Sequence, residues 1–131
     1  MCRDIEILRD CLDEMIEAMT RIINRFEGIE SVDDFIHTES GLLRLDAISM
    51  MLLWLGESVI RAQKVSHVKN LDGYNEQDWK GAVGMRHFLA HAYGKVDPET
   101  VYLVCRNKIP AMLESVQLMR KALNEKVDTR D

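Results

Sequence analysis

The sequence predicts an all-α fold: an up-and-down bundle of four main helices with a short extra helical turn and a last helix kinked or split at a proline. Three observations carry this expectation. Apolar residues recur with alternating three- and four-residue steps over long stretches, as on the buried side of a helix. No stretch of useful length alternates apolar and polar residues as a strand does. Glycine, proline and capping residues stand where the helical stretches break off. At 131 residues the chain reads as one domain, residues 1–131, long enough for a real hydrophobic core.

The first stripe is Ile5, Leu8, Leu12, Met15, Met19, Ile22 and Phe26, a long amphipathic helix ending near Gly28. Ser31 is placed to cap a short turn through Val32, Asp33, Asp34, Phe35 and Ile36. The second long helix runs from about Leu42 to Val65, with Leu45, Ile48, Leu52, Leu55, Val59 and Ala62 as its seam and Met51 and Trp54 widening its apolar side. Asn70 to Tyr74, which contains Asp72-Gly73, is a loop. A third helix starts near Glu76, carries Trp79 and ends at Gly94 through the open backbone cap glycine provides. Asp97 before Pro98 then caps a fourth helix, because aspartate accepts the first backbone N–H groups and proline suits the first turn. Val101, Val104, Ile109, Met112, Val116, Met119 and Leu123 form its stripe, and Pro110 interrupts it. Val127 to Asp131 should fray.

Composition narrows the function classes. Hydrophobic residues make up 47% and charged residues 30%, which excludes both a disordered chain and a membrane-spanning one. Apolar runs such as Ile48 to Leu55 are far too short to cross a bilayer, and Arg3, Asp4, Glu6, Arg9 and Asp10 interrupt any leader-like stretch, so a cytoplasmic protein is expected. Cys2, Cys11 and Cys105 form no CxxC pair; Cys11 and Cys105 fall near apolar stripes and read as buried free thiols. The net charge of −5 does not advertise a nucleic-acid binder, but it is unevenly spread. Residues 1–60 hold 5 Lys/Arg and 13 Asp/Glu, whereas residues 61–95 hold 6 and 3, plus three of the four histidines. A local anionic substrate would suit this positive segment; on charge alone an ordinary solvated helix face is the better account.

The segment Gly84 to Tyr93 is where chemistry concentrates. It puts a permanent cation, Arg86, two imidazoles, His87 and His91, and a phenol, Tyr93, on one predicted helix. With Arg86 at zero and about 100° per residue, His87 lies at about 100°, His91 at about 140° and Tyr93 at about −20°. Met85, Phe88, Leu89 and Ala92 fall between about 200° and 300°, so the apolar residues are expected on one face and the reactive ones on the other. Guanidinium grips phosphate oxygens with a fork of donors, and imidazole titrates near neutrality and can move a proton either way. His87 and His91 are four apart, a spacing that suits a shared metal ion, but no Glu follows His87 in an HExxH pattern and no further Cys/His cluster stands by. Taken singly, each of these residues is more simply an ordinary solvated or edge residue.

Taken together, Arg86-x4-His91-x-Tyr93 resembles the signature of the HEPN superfamily, and specifically its HepT-like toxin branch. Trp79, Gly84-Met85-Arg86, His91-Ala92-Tyr93 and Val96-Asp97 are similar to that branch's ordered run, Leu55-Gly56-Glu57-Ser58 to its Ile-Gly-Glu-Ala stretch, and Ile109-Pro110 to its Leu-Pro. The resemblance spans about Leu42 to Leu123. It implies a metal-independent endoribonuclease toxin that needs no cofactor and works as a homodimer, alone or within a larger hetero-oligomer. Arg86 and His91 would be its catalytic pair, with His87 as the less common residue after the arginine, supporting them or contacting RNA. Tyr93 would be the tyrosine to which a nucleotidyltransferase antitoxin transfers AMP. In a regular helix Arg86 and His91 diverge by about 140°, so one helix does not easily aim both at one phosphate, whereas a two-fold pair of helices can. The rival readings are a non-catalytic helical binding module that partners a nucleotidyltransferase, and a plain structural dimer with a solvated polar face.

Overall fold

The computed structural model describes the backbone of residues 2–92 and 95–130 and the side chains of residues 3–92 and 95–126. Its helices are α1 (Cys2–Phe26), α2 (Asp33–Ile36), α3 (Glu39–Gln63), α4 (Glu76–Ala90), α5 (Pro98–Asn107) and α6 (Ile109–Arg130), with a 3₁₀ turn at Val68–Asn70 between α3 and α4. No strand occurs among the described residues. Four long helical units, a four-residue turn and a last unit broken in two are the architecture the sequence implies.

Helix α1 buries the stripe read from its spacing: Leu8, Leu12, Met15, Met19 and Ile22 are all enclosed. Each such side chain contributes roughly 1.5–3 kcal/mol by leaving water. Helix α3 lies at the centre, against α1 on one side and α4 on the other, and α6 closes the bundle against α1. Ile48, Leu52, Leu55 and Val59 of α3 are enclosed between these neighbours. Cys11 and Cys105 are buried free thiols, as expected. Among the described residues, no helix is long and apolar enough to cross a membrane.

Three boundaries differ from expectation, each for a local reason. Ser31 does not cap the short turn. Val32 stands at that position without a side-chain bond, and Asp34 reaches back so that its Oδ2 accepts from the backbone N–H groups of Glu30 and Ser31. Helix α3 begins three residues before Leu42, because Thr38 Oγ1 accepts from the Gly41 N–H at 2.9 Å and starts the helix ahead of its first apolar residue. Helix α4 stops at Ala90 rather than running on toward Gly94, which lies with Tyr93 outside the described residues.

The proline resolves to a split, not a kink. Pro110 has no N–H to offer the Arg106 carbonyl, so the chain turns at Lys108 and restarts at Ile109. Upstream, Asp97 caps α5 as predicted: Oδ1 accepts from the Glu99 N–H at 3.3 Å and Oδ2 from the Thr100 hydroxyl at 2.7 Å.

Candidate functional site

Helix α4 carries the reactive segment, and its orientation is set at its start. Asn75 Oδ1 accepts from the Asp78 N–H at 3.0 Å, and Trp79, Ala82, Met85 and Leu89 then bury one face. By the same helical angles these four lie at about 20°, −40°, −100° and −60°, so Arg86 at zero sits inside the packed sector. The sequence had placed Arg86 on a reactive face opposite the apolar one; instead it belongs to the flank that meets α3. Phe88, grouped beforehand with Met85 and Leu89, is 41% exposed. The contact with α3 covers the sector from Met85 to Trp79 and does not reach round to it.

The Arg86 side chain is built into this flank from root to tip. A methyl group on Gly56 of α3 would lie 2.8 Å from Arg86 Cγ, closer still to Cβ, and 3.0 Å from the Ala82 carbonyl oxygen. Only a residue without a side chain leaves room for the root of Arg86 there. Beyond Gly56 the side chain meets the next residue of α3: Arg86 Nε donates to Glu57 Oε1 at 2.7 Å, and Nη2 stands 2.7 Å from the same oxygen. Such distances are those of charge-assisted hydrogen bonds. The Arg86 side chain remains one-third exposed (33%).

His91 is the residue at which α4 ends, with φ −104° and ψ 4°. Its backbone N–H bonds to the Leu89 carbonyl, and its ring turns back so that Nδ1 donates to the His87 carbonyl at 2.9 Å. A carbonyl only accepts, so Nδ1 carries the proton of the neutral ring and Nε2 carries the lone pair. The His87 ring lies against it, 4.4 Å between centroids at 44°. The structure thus joins His87 to His91 and joins Arg86 to α3; His87 follows Arg86 by about 100° around the helix axis. Tyr93 lies outside the described residues.

The remaining side of α4 is open. Methyl groups built on Gly81 and Gly84 would meet nothing within 4 Å. A cavity of about 250 Å³ lies farther back along α4, lined by Leu52, Leu55, Asp78, Gly81, Met85 and Lys108. Burial pushes the Asp78 carboxyl there above its ordinary range, partly offset by Lys108. Arg86, His87 and His91 do not line this cavity. It is also smaller than the usual range of about 300–1,000 Å³ for small-molecule pockets. The chemistry sits on a surface, which suits a polymer passing over it. Among the described residues no three His, Cys, Asp or Glu side chains gather as metal ligands.

A guanidinium fixed at one edge can hold a phosphate, and an imidazole whose Nδ1 is tied to a carbonyl can exchange a proton at Nε2. Sequence reasoning named Arg86, His87 and His91 as site residues and gave Glu57 no role beyond its place in the Leu55-Gly56-Glu57-Ser58 stretch. Its signal was present in the Gly56-Glu57 pair on the preceding helix, whose link to Arg86 appears only when α3 and α4 pack. Compared with known proteins, residues 15–119 match a family model described as HepT-like, ribonuclease HepT-like. No curated protein and no solved structure gives a significant match.

Proposed function

The chain belongs to the HepT-like ribonuclease family, a branch of the HEPN superfamily, and we propose that it is the toxin of a toxin–antitoxin pair: a metal-independent endoribonuclease acting in the cytoplasm as a homodimer. The observation that carries the reading is the Arg86–His91 pair, each member locally fixed and both within the stretch that matches the family.

In this reaction the 2′-oxygen of a ribose attacks the adjacent phosphorus. A base takes the 2′-hydroxyl proton, charge builds on the non-bridging oxygens, and the bond to the 5′-oxygen breaks as that oxygen gains a proton. The products are a 2′,3′-cyclic phosphate and a 5′-hydroxyl. His91 Nε2 is the proton acceptor or, once protonated, the donor. Arg86 stabilises the charged phosphorane, a task whose removal costs on the order of 10² or more in rate.

The homodimer supplies what one helix lacks. Arg86 occupies the flank against α3, and His91 leaves the end of the helix on another side. A second copy packed across the open side of α4, where Gly81 and Gly84 admit close approach and Phe88 is exposed, puts two guanidinium and two imidazole groups along one groove. The positive segment then counts twice, which favours RNA. His87 supports His91 through the ring contact or meets the RNA itself.

Regulation falls to Tyr93, two residues beyond His91. AMP transferred there by a nucleotidyltransferase antitoxin adds bulk and negative charge two residues along the chain from His91 and competes with the RNA phosphates.

The test is RNA cleavage and growth arrest by Arg86→Ala and His91→Ala. Each variant alone should lose both effects. Mixing the two, unfolded and refolded together, should restore part of the activity, because a mixed pair contains one intact Arg86 and one intact His91. Full activity in either single variant would reject the assignment, and no recovery on mixing would reject the shared groove.

A further inference from the structure

We propose that Glu57 is a positioning residue for Arg86: its carboxylate holds the guanidinium by the Nε/Nη2 edge so that the Nη1/Nη2 end is presented to a phosphate of the RNA. The inference rests on the ribonuclease reading of Arg86 above.

A guanidinium has five N–H donors in a rigid planar fork, and a phosphate fits two of them at once. Glu57 Oε1 engages Nε and Nη2, both at 2.7 Å, which occupies one edge. Among the described residues no acceptor meets Nη1. The opposite edge, with Nη1 and the second Nη2 proton, meets no acceptor among the described residues, and a third of the side chain is exposed. The carboxylate and a phosphate therefore need not compete for the same donors.

The neighbouring residue makes the tether rigid. Gly56 receives the root of Arg86, with no space for even a methyl group between them, and Glu57 holds its tip. Both come from consecutive residues of α3, so one turn of a buried helix fixes an otherwise long and mobile side chain. Only Glu57 of the two is exposed, which leaves it replaceable without touching the core.

The alternative role for such a carboxylate is a decoy that fills the phosphate's place until RNA displaces it. The two roles predict opposite kinetics. For a positioning residue, Glu57→Ala lowers kcat on a fluorophore–quencher RNA oligonucleotide on the order of tenfold or more, since misplacing a catalytic group by about 1 Å costs up to 10²-fold. KM stays within about twofold, because the guanidinium charge is retained and steers RNA as before. Glu57→Gln recovers most of kcat, since its amide oxygen accepts the same two N–H groups. In an Arg86→Lys background Glu57→Ala adds little, because an ammonium has no second edge to aim. The Arg86 Nε–H resonance should be sharp in the wild type and in Glu57→Gln and broadened in Glu57→Ala.

A lower KM with undiminished kcat in Glu57→Ala would identify a decoy and overturn the proposal. So would unchanged kinetics in Glu57→Ala alongside an inactive Arg86→Ala. An active Arg86→Ala is a different result: it removes the ribonuclease reading of Arg86 on which the proposal stands.

Discussion

Gly56→Ala adds one methyl group at the point where α3 and α4 approach most closely on Arg86, and its cost can be worked from the geometry. The new carbon would sit 2.8 Å from Arg86 Cγ and 3.0 Å from the Ala82 carbonyl oxygen. Ordinary carbon contacts are about 3.5–4.0 Å, so the overlap is close to 1 Å at Cγ and larger at Cβ. Neither neighbour can swing away freely: Cγ is near the root of its side chain, and the carbonyl belongs to α4. The helices must part or Arg86 must leave its rotamer, at about 1–3 kcal/mol for overpacking of this kind. Alanine in a helix interior returns up to about 1 kcal/mol relative to glycine. The net expectation is a loss of about 1–2 kcal/mol, or a melting point lower by about 4–10 °C for a chain of this size. RNA cleavage should fall on the order of 10²-fold, because the displaced group is Arg86. Gly81→Ala separates the two surfaces of α4: a methyl group there meets nothing within 4 Å inside the subunit, so any loss would come from the partner copy and not from α3. Thermal unfolding followed by circular dichroism, with cleavage rates on the same samples, measures both. A Gly56→Ala protein that melts with or above the wild type and cleaves at the same rate would show that the helices do not approach as described.

Two further outcomes are expected. Tyr93→Phe should retain RNA cleavage yet escape silencing by a nucleotidyltransferase antitoxin, as read by AMP incorporation and by growth on co-expression; continued silencing by AMP transfer would move the acceptor elsewhere. Burial pushes the Cys105 thiol from its ordinary 9.0 up to about 12. Between those values the unfolded chain loses this proton and the folded one keeps it, so stability is intact below about pH 9 and falls as pH rises toward 12, by about 1.4 kcal/mol per decade. Cys105→Ala should flatten urea midpoints between pH 8 and pH 10.5 relative to the wild type; identical slopes would remove burial of this thiol as the cause.

How much of this was legible in the sequence depended on the range of the interaction. The α1 stripe from Leu8 to Ile22 was plain because helical spacing repeats every turn and needs no partner to be read. The split at Pro110 was equally local, since a missing N–H breaks the ladder wherever it falls. Thr38 was overlooked because the start of α3 was set by its first apolar residue and not by the capping hydroxyl before it. Phe88 was misplaced for a different reason: a helical wheel sorts residues by type, whereas burial depends on the width of the neighbour, and α3 covers only part of α4. The acid that holds Arg86 lies 29 residues upstream; the Gly56-Glu57 pair stood in a recognisable stretch, but its contact with Arg86 forms only when α3 and α4 pack. So Arg86, His87 and His91 could be named together from their spacing and the resemblance it carries, whereas the contact between Glu57 and Arg86 could not.

The early end of α4 explains how His91 comes to be held. Had the helix continued regularly toward Gly94, the His91 backbone N–H would have bonded to the His87 carbonyl four residues back. It bonds instead to the Leu89 carbonyl, and the His87 carbonyl is taken by the His91 ring at 2.9 Å. The ring thereby does the work of a helix cap, satisfying one of the carbonyls that a helix end leaves open. That bond is indifferent to protonation at Nε2, because Nδ1 carries a hydrogen in both the neutral and the cationic ring. The imidazole can therefore accept and return a proton without losing its anchor or turning over. A side chain required first to take the 2′-hydroxyl proton and later to give one back needs this property, and at His91 it follows from where the helix stops.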